Sequence, residues 1–331
     1  MIYSIMIGVV MAGANLPAKK YKHTNPTQVR LSFEFDGGTT QFIDIARALS
    51  ICNRKFFRQG CWYYVNSVEI YNNETGVVDL HTLPDTWVTK NAWSRGFQLF
   101  QKMNAMVDPA VTNIGRPKYH DFKVYMSDLH RTTGSANPVM HGINATYSVG
   151  GMTPNDWVYS NFVSANDDGD GTQQADDFEV HMLGPHVGNP SNWQSVGLIK
   201  SYGETRTLPN FTDPSLPTAV PAGDGPAADP LANIFDFSSE NQLNDIITNL
   251  DEDNDSPPYD LDYYIGGDSA NSMAHVARIG TEVGVGRVGR ASGFCAPMGL
   301  VCVDPHGVST AFRVVLNLAV GTYHGVYAER A

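Results

Sequence analysis

Residues 312–318 read Phe-Arg-Val-Val-Leu-Asn-Leu, a segment in which large apolar side chains recur at every second position. This period places the apolar set on one face of an extended chain and Arg313 and Asn317 on the other, which predicts a half-buried β-strand. Further apolar residues follow over 320–327, and no helical pattern comes after them. An ending of this kind is untypical of doubly wound α/β enzymes and favours a β-sandwich.

Similar alternation recurs along the chain and predicts further strands. The strand segments are 29–35, 62–71, 77–80, 118–126, 157–163, 178–183 and 298–303. Helical spacing appears over 42–57, over 85–107 and after Ser239. Because strands and helices do not alternate in a βαβ rhythm, we expect an all-β fold. Its expected form is a single jelly-roll β-sandwich of two antiparallel sheets, with long loop insertions and a few short helices.

Charges are few and unevenly distributed. Charged residues make up 17% of the 331 residues, against roughly 25% in typical globular chains. Such a chain either carries a surface of neutral polar groups or buries broad surfaces against partners. Residues 201–262 contain thirteen acids and one base, a local balance equal to the net charge of −12. We expect an N-terminal arm over 1–26 and one β domain over 27–331, with an acidic, proline-rich insertion at about 203–262.

The predicted arm is basic. Lys19, Lys20, Tyr21, Lys22 and His23 combine cations with an aromatic ring. Flexible cations neutralise phosphates, and a ring can stack on unpaired bases. An ordinary polar tail has the same composition, so both interpretations stay open.

Two acidic segments have spacings that suit Ca²⁺. Asp168, Asp170 and Asp177 partly match a calcium-loop pattern that begins at Asn166. A second cluster consists of Asp251, Asp253 and Asp255. A solvated polar loop is the simpler interpretation of each segment, and no cofactor is required by the sequence.

Catalytic motifs are absent from the sequence. Residues 284–289 match GxGxxG, but the helix that a dinucleotide site needs is not predicted after them. Four cysteines lack metal-site spacing and are expected to be free thiols in the core. We therefore expect a protein that is not an enzyme, although two distant carboxylates of a jelly-roll hydrolase could still meet in the fold.

Three segments resemble capsid proteins of circular, Rep-encoding single-stranded DNA viruses from environmental sources. They are residues 118–125 (Lys-Tyr-His-Asp-Phe-Lys-Val-Tyr), 157–162 (Trp-Val-Tyr-Ser-Asn-Phe) and 316–330. The resemblance implies a jelly-roll subunit that assembles with its own copies into an icosahedral shell around a circular single-stranded DNA genome. It also implies a virion protein, assembled in the host cell, without a membrane partner. No motif identifies a host receptor.

The chain departs from this family in its arm. Such proteins often begin with a long arginine-rich segment, whereas this chain has only the short cluster at 19–23. Genome neutralisation would then fall to residues of the folded surface or to solvent cations. The folded-surface candidates are Arg30, Arg47, Arg54, Lys55 and Arg58.

A secreted, calcium-dependent, lectin-like β-sandwich is the alternative function. The apolar run at 2–11 faintly resembles a secretion signal, and glycosylation sequons begin at Asn73, Asn144 and Asn210. The same run is compatible with a later start at Met6 or Met11, or with an arm that packs on a neighbouring subunit.

Overall fold

The computed structural model describes ten stretches of the chain. They are residues 27–107, 119–136, 139–141, 149–151, 157–166, 174–189, 192–206, 265–268, 273–282 and 287–331. Strands account for 48% of the structure and helices for 24%, so the prediction of a mostly β chain with antiparallel sheets is confirmed. The predicted arm, and the acidic insertion from residue 207 onward, lie outside the described residues.

The elements are numbered in chain order. The strands are β1 (Arg30–Phe35), β2 (Gln41–Asp44), β3 (Cys61–Tyr71), β4 (Gly76–Thr82), β5 (Tyr125–Ser127), β6 (Val139–His141), β7 (Val149–Gly151), β8 (Asn161–Asn166), β9 (Gln174–Leu183), β10 (Val187–Asn189), β11 (Asn192–Gly197), β12 (Ala274–Thr281), β13 (Val288–Ala296), β14 (Leu300–His306), β15 (Phe312–Leu318), β16 (Val320–Tyr323) and β17 (Ala328–Arg330). The helices are α1 (Ile45–Asn53), α2 (Trp87–Val107), α3 (Asp128–Thr133) and α4 (Leu198–Arg206).

The first sheet contains the strand at 312–318. Its order is β1-β15-β3-β13, all antiparallel, and β17 adds to one end of β3. Along β15 the apolar side chains are buried, while Arg313 and Asn317 are partly exposed, as the alternation predicts. Arg313 pairs with Glu34 across the outer face at 2.9 Å. The period-two pattern therefore fixes which face of the sheet meets the core.

The second sheet packs against the first. Its order is β12-β4-β14-β2, again antiparallel. Buried side chains from both sheets form one core, among them Phe33, Ile70 and Leu316 of the first sheet and Ile43, Leu80 and Val303 of the second. Two antiparallel sheets sharing an apolar interior make a β-sandwich.

A third layer covers the other face of the second sheet. It consists of α2, α4 and a third sheet of order β10-β11-β9-β5, with β8 also paired to β9. Phe122, Met182 and Ile199 of this layer share a buried cluster with Phe42 and Leu300 of the second sheet. All these layer elements come from the long connection between β4 and β12. Separately, β6 and β7 form a two-stranded sheet.

The third sheet was not anticipated in this form. The predicted pairing of β8 with β9 is present and antiparallel, but β5 and β11 pair with β9 in parallel. The predicted helix over 85–107 is present as α2, which is longer than the short helices expected. The last two predicted core strands, β14 and β15, lie in opposite sheets.

Candidate nucleic-acid interface

Three of the predicted DNA-contacting residues lie on one short segment, which we call the cation loop (residues 54–58). Helix α1 is capped at its N-terminus by Asp44, whose Oδ1 accepts the backbone N–H of Arg47 at 3.0 Å, and it ends where Arg54 turns into the left-handed region at φ 52°. The left-handed end redirects the chain and leaves Arg54 and Arg58 exposed, with Lys55 half-buried. Local helix termination therefore presents these cations together.

The chain enters the described fold beside the cation loop. Lys55 Nζ donates to Thr27 Oγ1 at 3.3 Å, and Thr27 in turn donates to the carbonyl of His324 at 2.6 Å. One residue further on, Gln28 and Asn53 exchange two hydrogen bonds of 2.7 and 3.2 Å. Thr27 directly follows the predicted basic arm in sequence, so the arm joins the fold at its cationic loop.

Arg58 is held in place at the end of the loop. Its backbone N–H donates to the Tyr323 hydroxyl at 3.0 Å, and its carbonyl accepts from the Tyr63 hydroxyl at 2.6 Å. Its Nε pairs with Asp121 at 3.2 Å, and its side chain is 51% exposed. The Asp121 side chain is only 10% exposed, so the pair is partly buried, and the exposed part of the Arg58 guanidinium can contact a phosphate while the pair with Asp121 is kept.

Lys123 is a nearby cation that the sequence did not single out. Its Nζ lies 4.8 Å from the ring centre of Trp157 and 5.7 Å from that of Phe56, a cation–π arrangement. The residue is 3% exposed. Burial lowers the pKa of Lys123, and the nearby carboxylate of Asp121 opposes that shift. Lys123 therefore stabilises the position of Phe56 in the cation loop and, being buried, does not itself contact DNA.

Arg30 is not joined to the cation loop. Its guanidinium pairs with Glu69 Oε2 at 2.9 Å on the outer face of the first sheet. Arg290 lies 3.8 Å from the other oxygen of Glu69. The alternation of β1 turns Arg30 outward with Glu34, so the structure separates it from the other folded-surface candidates.

Most of the remaining predicted site residues lie outside the described residues. These are the arm residues Lys19, Lys20, Lys22 and His23, and the acids Asp168, Asp170, Asp251, Asp253 and Asp255. Asp177 is described, and its Oδ2 accepts a hydrogen bond from Asn161 at 2.9 Å. Within the described part of the chain no group of three or more His, Cys, Asp or Glu side chains could hold a metal ion. The calcium prediction therefore stays a prediction.

A second polar constellation was missed by sequence reasoning. On the face of the second sheet that also carries the third layer, adjacent strands place charged and imidazole side chains around Asp79. This histidine patch comprises Asp79, His81, His275, Arg278, Asp304 and His306. Arg278 first, through its hydrogen bonds, and then nearby histidines lower the pKa of Asp79 to about 2. The only sequence signal is Asp and His spaced two apart on β4 and β14, which needs the strand register to become meaningful.

One serine–histidine contact involves His130 and Ser135. His130 Nδ1 accepts the backbone N–H of Met126 at 3.0 Å, so the neutral ring carries its proton on Nε2 and donates it to Ser135 Oγ. Burial lowers the pKa of His130 to about 3. A ring in this tautomer cannot accept the serine proton, so the contact is structural.

The other serine–histidine contact has a suitable tautomer but no access. His181 Nε2 lies 3.0 Å from the Pro185 carbonyl and donates to it, so Nδ1 accepts from Ser195 Oγ at 2.7 Å. Both side chains are fully buried. Substrate cannot reach this pair, which instead fixes β11 against β9.

The chain matches no family model, no curated protein and no solved structure. In the part that the structure describes, no helix is both long and apolar enough to cross a membrane. Function must therefore be argued from the fold and from the surfaces described above.

Proposed function

We propose that the two packed sheets are a jelly roll and that the chain is a capsid subunit. The observation that carries the proposal is the strand order. If the eight core strands are counted along the chain, the first sheet reads first, eighth, third, sixth, and the second sheet reads second, seventh, fourth, fifth. The first four strands alternate between the two sheets, and so do the last four; this arrangement is built from two Greek keys and is the jelly-roll architecture of viral capsid and lectin domains.

The subunit assembles with its own copies into an icosahedral shell. The low charge of the chain supports this proposal, because the centres of protein interfaces are depleted of charged residues. Large apolar side chains also stand exposed on several elements: Leu99, Tyr119, Val158, Val163, Ile265 and Val320. Contacts with neighbouring subunits would remove these side chains from water.

The shell encloses circular single-stranded DNA, and the cation loop faces it. Arg54, Lys55 and Arg58 lie on the loop that contacts Thr27, the residue that directly follows the basic arm in sequence. Few cations are present in the folded domain, which limits the phosphate charge that one subunit can neutralise. The mature location is the virion, after assembly in a host cell.

Expression of the full chain and negative-stain microscopy test the proposal. We expect closed, uniform particles, and we expect nuclease-resistant DNA inside them when assembly takes place in cells. Monomers that persist across low and high salt, neutral and acidic pH, and added Ca²⁺ would contradict the capsid proposal. A monomer that binds glycans only with Ca²⁺ would favour the lectin-like alternative instead.

A further inference from the structure

A cleft of about 330 Å³ lies between α2 and the end of the first sheet where β17 pairs with β3. We call it the α2 cleft. Its lining consists of Arg58, Gly60, Cys61, Trp93, Ser94, Phe97, Gln98, Gln101, Asp121, Arg330 and Ala331. The helix contributes Ser94, Phe97, Gln98 and Gln101, whose spacing puts them on one face. The volume falls at the lower end of the range of about 300–1,000 Å³ for small-molecule sites.

The charged side chains of the α2 cleft are two arginines and one carboxylate, and Ala331, the last residue of the sequence, also lines it. Arg58 pairs with Asp121, with Nε 3.2 Å from Oδ2. Arg330 lies directly opposite Cys61 in the strand register, is exposed, and has no ion-pair partner among the described residues. Two arginine side chains beside one side-chain carboxylate leave an excess of positive charge in the cleft, which favours an anionic group such as phosphate.

The aromatic part of the cleft is preformed. Trp93 stacks on Phe97 with ring centres 5.2 Å apart and an angle of 12° between the planes. Gly60 permits this position, because a Cβ on it would lie 2.1 Å from the Trp93 ring. Trp93 is 8% exposed, and its buried Nε1 has no hydrogen-bond partner within the described residues. Phe97 is only half-buried, so the stack has an open end in the cleft.

We propose that the α2 cleft binds one nucleotide of unpaired DNA. Its base packs on Phe97, the amides of Gln98 and Gln101 reach the polar base edge, and Arg330 with Arg58 contacts the phosphate. A purely apolar ligand would offer no anionic group to the two arginines. A simple anion would make no contact with the aromatic end of the cleft. The choice of single-stranded DNA as the source of the nucleotide rests on the proposed function. The cleft itself is formed by residues of one subunit.

Binding of two probes by the full chain tests this inference. The probes are dTMP, followed by calorimetry, and fluorescein-labelled (dT)10, followed by anisotropy over a series of salt concentrations. We expect Arg330→Gln to weaken (dT)10 binding about tenfold and to reduce the salt slope by about 0.7, the value for one single-strand phosphate contact. We expect Phe97→Leu to weaken binding of both probes about tenfold through lost stacking, with an unchanged salt slope.

Arg290→Gln is the matched control. Arg290 is an exposed arginine on the outer face of the first sheet, with a side chain 73% exposed, and its removal changes the global charge equally. Less than a twofold effect of this control, with large effects of the cleft variants, supports the inference. Equal effects of Arg330→Gln and Arg290→Gln would show nonspecific attraction and would overturn it.

The inference and the capsid proposal can fail separately. If particles form normally but Phe97→Leu does not change the affinity for dTMP, the nucleotide-binding inference is wrong and the capsid proposal is unaffected. If the chain stays monomeric and its affinity for dTMP depends on Phe97 and Arg330, the capsid proposal is wrong and the nucleotide-binding inference is supported. Because Arg330 is exposed, Arg330→Gln is expected to fold. If Phe97→Leu does not fold, Arg330→Gln therefore still tests the inference.

Discussion

Arg278 donates two hydrogen bonds to Asp79, from Nε to Oδ1 at 2.8 Å and from Nη2 to Oδ2 at 2.7 Å. The two residues lie opposite each other on β12 and β4 and are 199 positions apart in the chain. The Asp79 side chain is 3% exposed, whereas that of Arg278 is 66% exposed. Since β12 is the edge strand where the chain returns from its long insertion, this pair fastens the insertion's end to the second sheet.

Asp79→Asn is therefore expected to destabilise the fold. We expect the free energy of unfolding at pH 7 to fall by about 1–2 kcal/mol, a modest value because Arg278 is exposed to solvent. The pKa of Asp79 is lowered from 3.8 to about 2, so its contribution is present above pH 3.8 and is lost as the pH falls through 2. Urea unfolding of both proteins between pH 7 and pH 2 measures the difference.

Asp304→Asn serves as the control for this experiment. Asp304 belongs to the same patch but is more exposed, and its neutral partner is Thr40. A smaller loss is expected for it. A pH-independent gap between Asp79→Asn and the unmodified chain would argue against the ion pair as the cause.

The alternation of apolar and polar residues made the central strands predictable, whereas two glycine-rich strands could not be recognised from the sequence. The sequence places β1, β3, β4 and β15 within a few residues of their observed bounds, because each carries apolar side chains at period two. No strand was predicted over the glycine-rich stretch from 279 to 293, yet β12 and β13 occupy most of it. Gly289 is required there because a Cβ would lie 2.3 Å from Ile279, so close strand packing selects glycine and erases the alternation.

Acid should unfold the protein through its buried histidines. Burial is the first cause that lowers the pKa of His130 to about 3 and of His181 to about 4, against 6.5 in the unfolded chain. Below pH 6.5 the two histidines are protonated in the unfolded state but stay neutral in the folded state. The free energy of unfolding should therefore fall on acidification, by about 1.4 kcal/mol per pH unit for each histidine between pH 6 and pH 4.

His181→Gln separates this mechanism from general acid effects. Glutamine can still donate to the Pro185 carbonyl and accept from Ser195, but it does not titrate. We expect a lower stability at pH 7.5 and a pH slope smaller by about 1.4 kcal/mol per unit. An unchanged slope in His181→Gln would contradict the assignment.

The candidate interface was only partly predictable for a different reason. Arg54, Lys55 and Arg58 are neighbours in sequence, so a cluster of cations could be recognised directly. Arg330 and Phe97 meet in the α2 cleft only because β17 returns to pair with β3 beside α2. Juxtaposition across such sequence distances depends on topology, which a single sequence does not encode in any local pattern.

Gly37 and Gly38 offer a matched pair for testing the packing between two loops of the sandwich. A Cβ on Gly37 would lie 2.3 Å from the carbonyl carbon of Ser309 and 2.7 Å from the backbone nitrogen of Thr310. That backbone is held by Glu74, which accepts the N–H groups of Ser309 and Thr310 at 2.7 and 3.2 Å. The loop therefore cannot yield without losing these bonds, and we expect Gly37→Ala to cost about 2–3 kcal/mol.

Gly38→Ala should cost about 1 kcal/mol, because Gly38 has φ +76° but open space around its Cβ position. The two substitutions add the same methyl group to adjacent residues, so their difference isolates the collision with the Ser309 backbone from conformational strain. Urea unfolding at pH 7 gives both values. If the order were reversed, the turn at 37–38 would not rest on the loop at 309–310, and the packing of β1 and β2 against the β14–β15 connection would have to be revised.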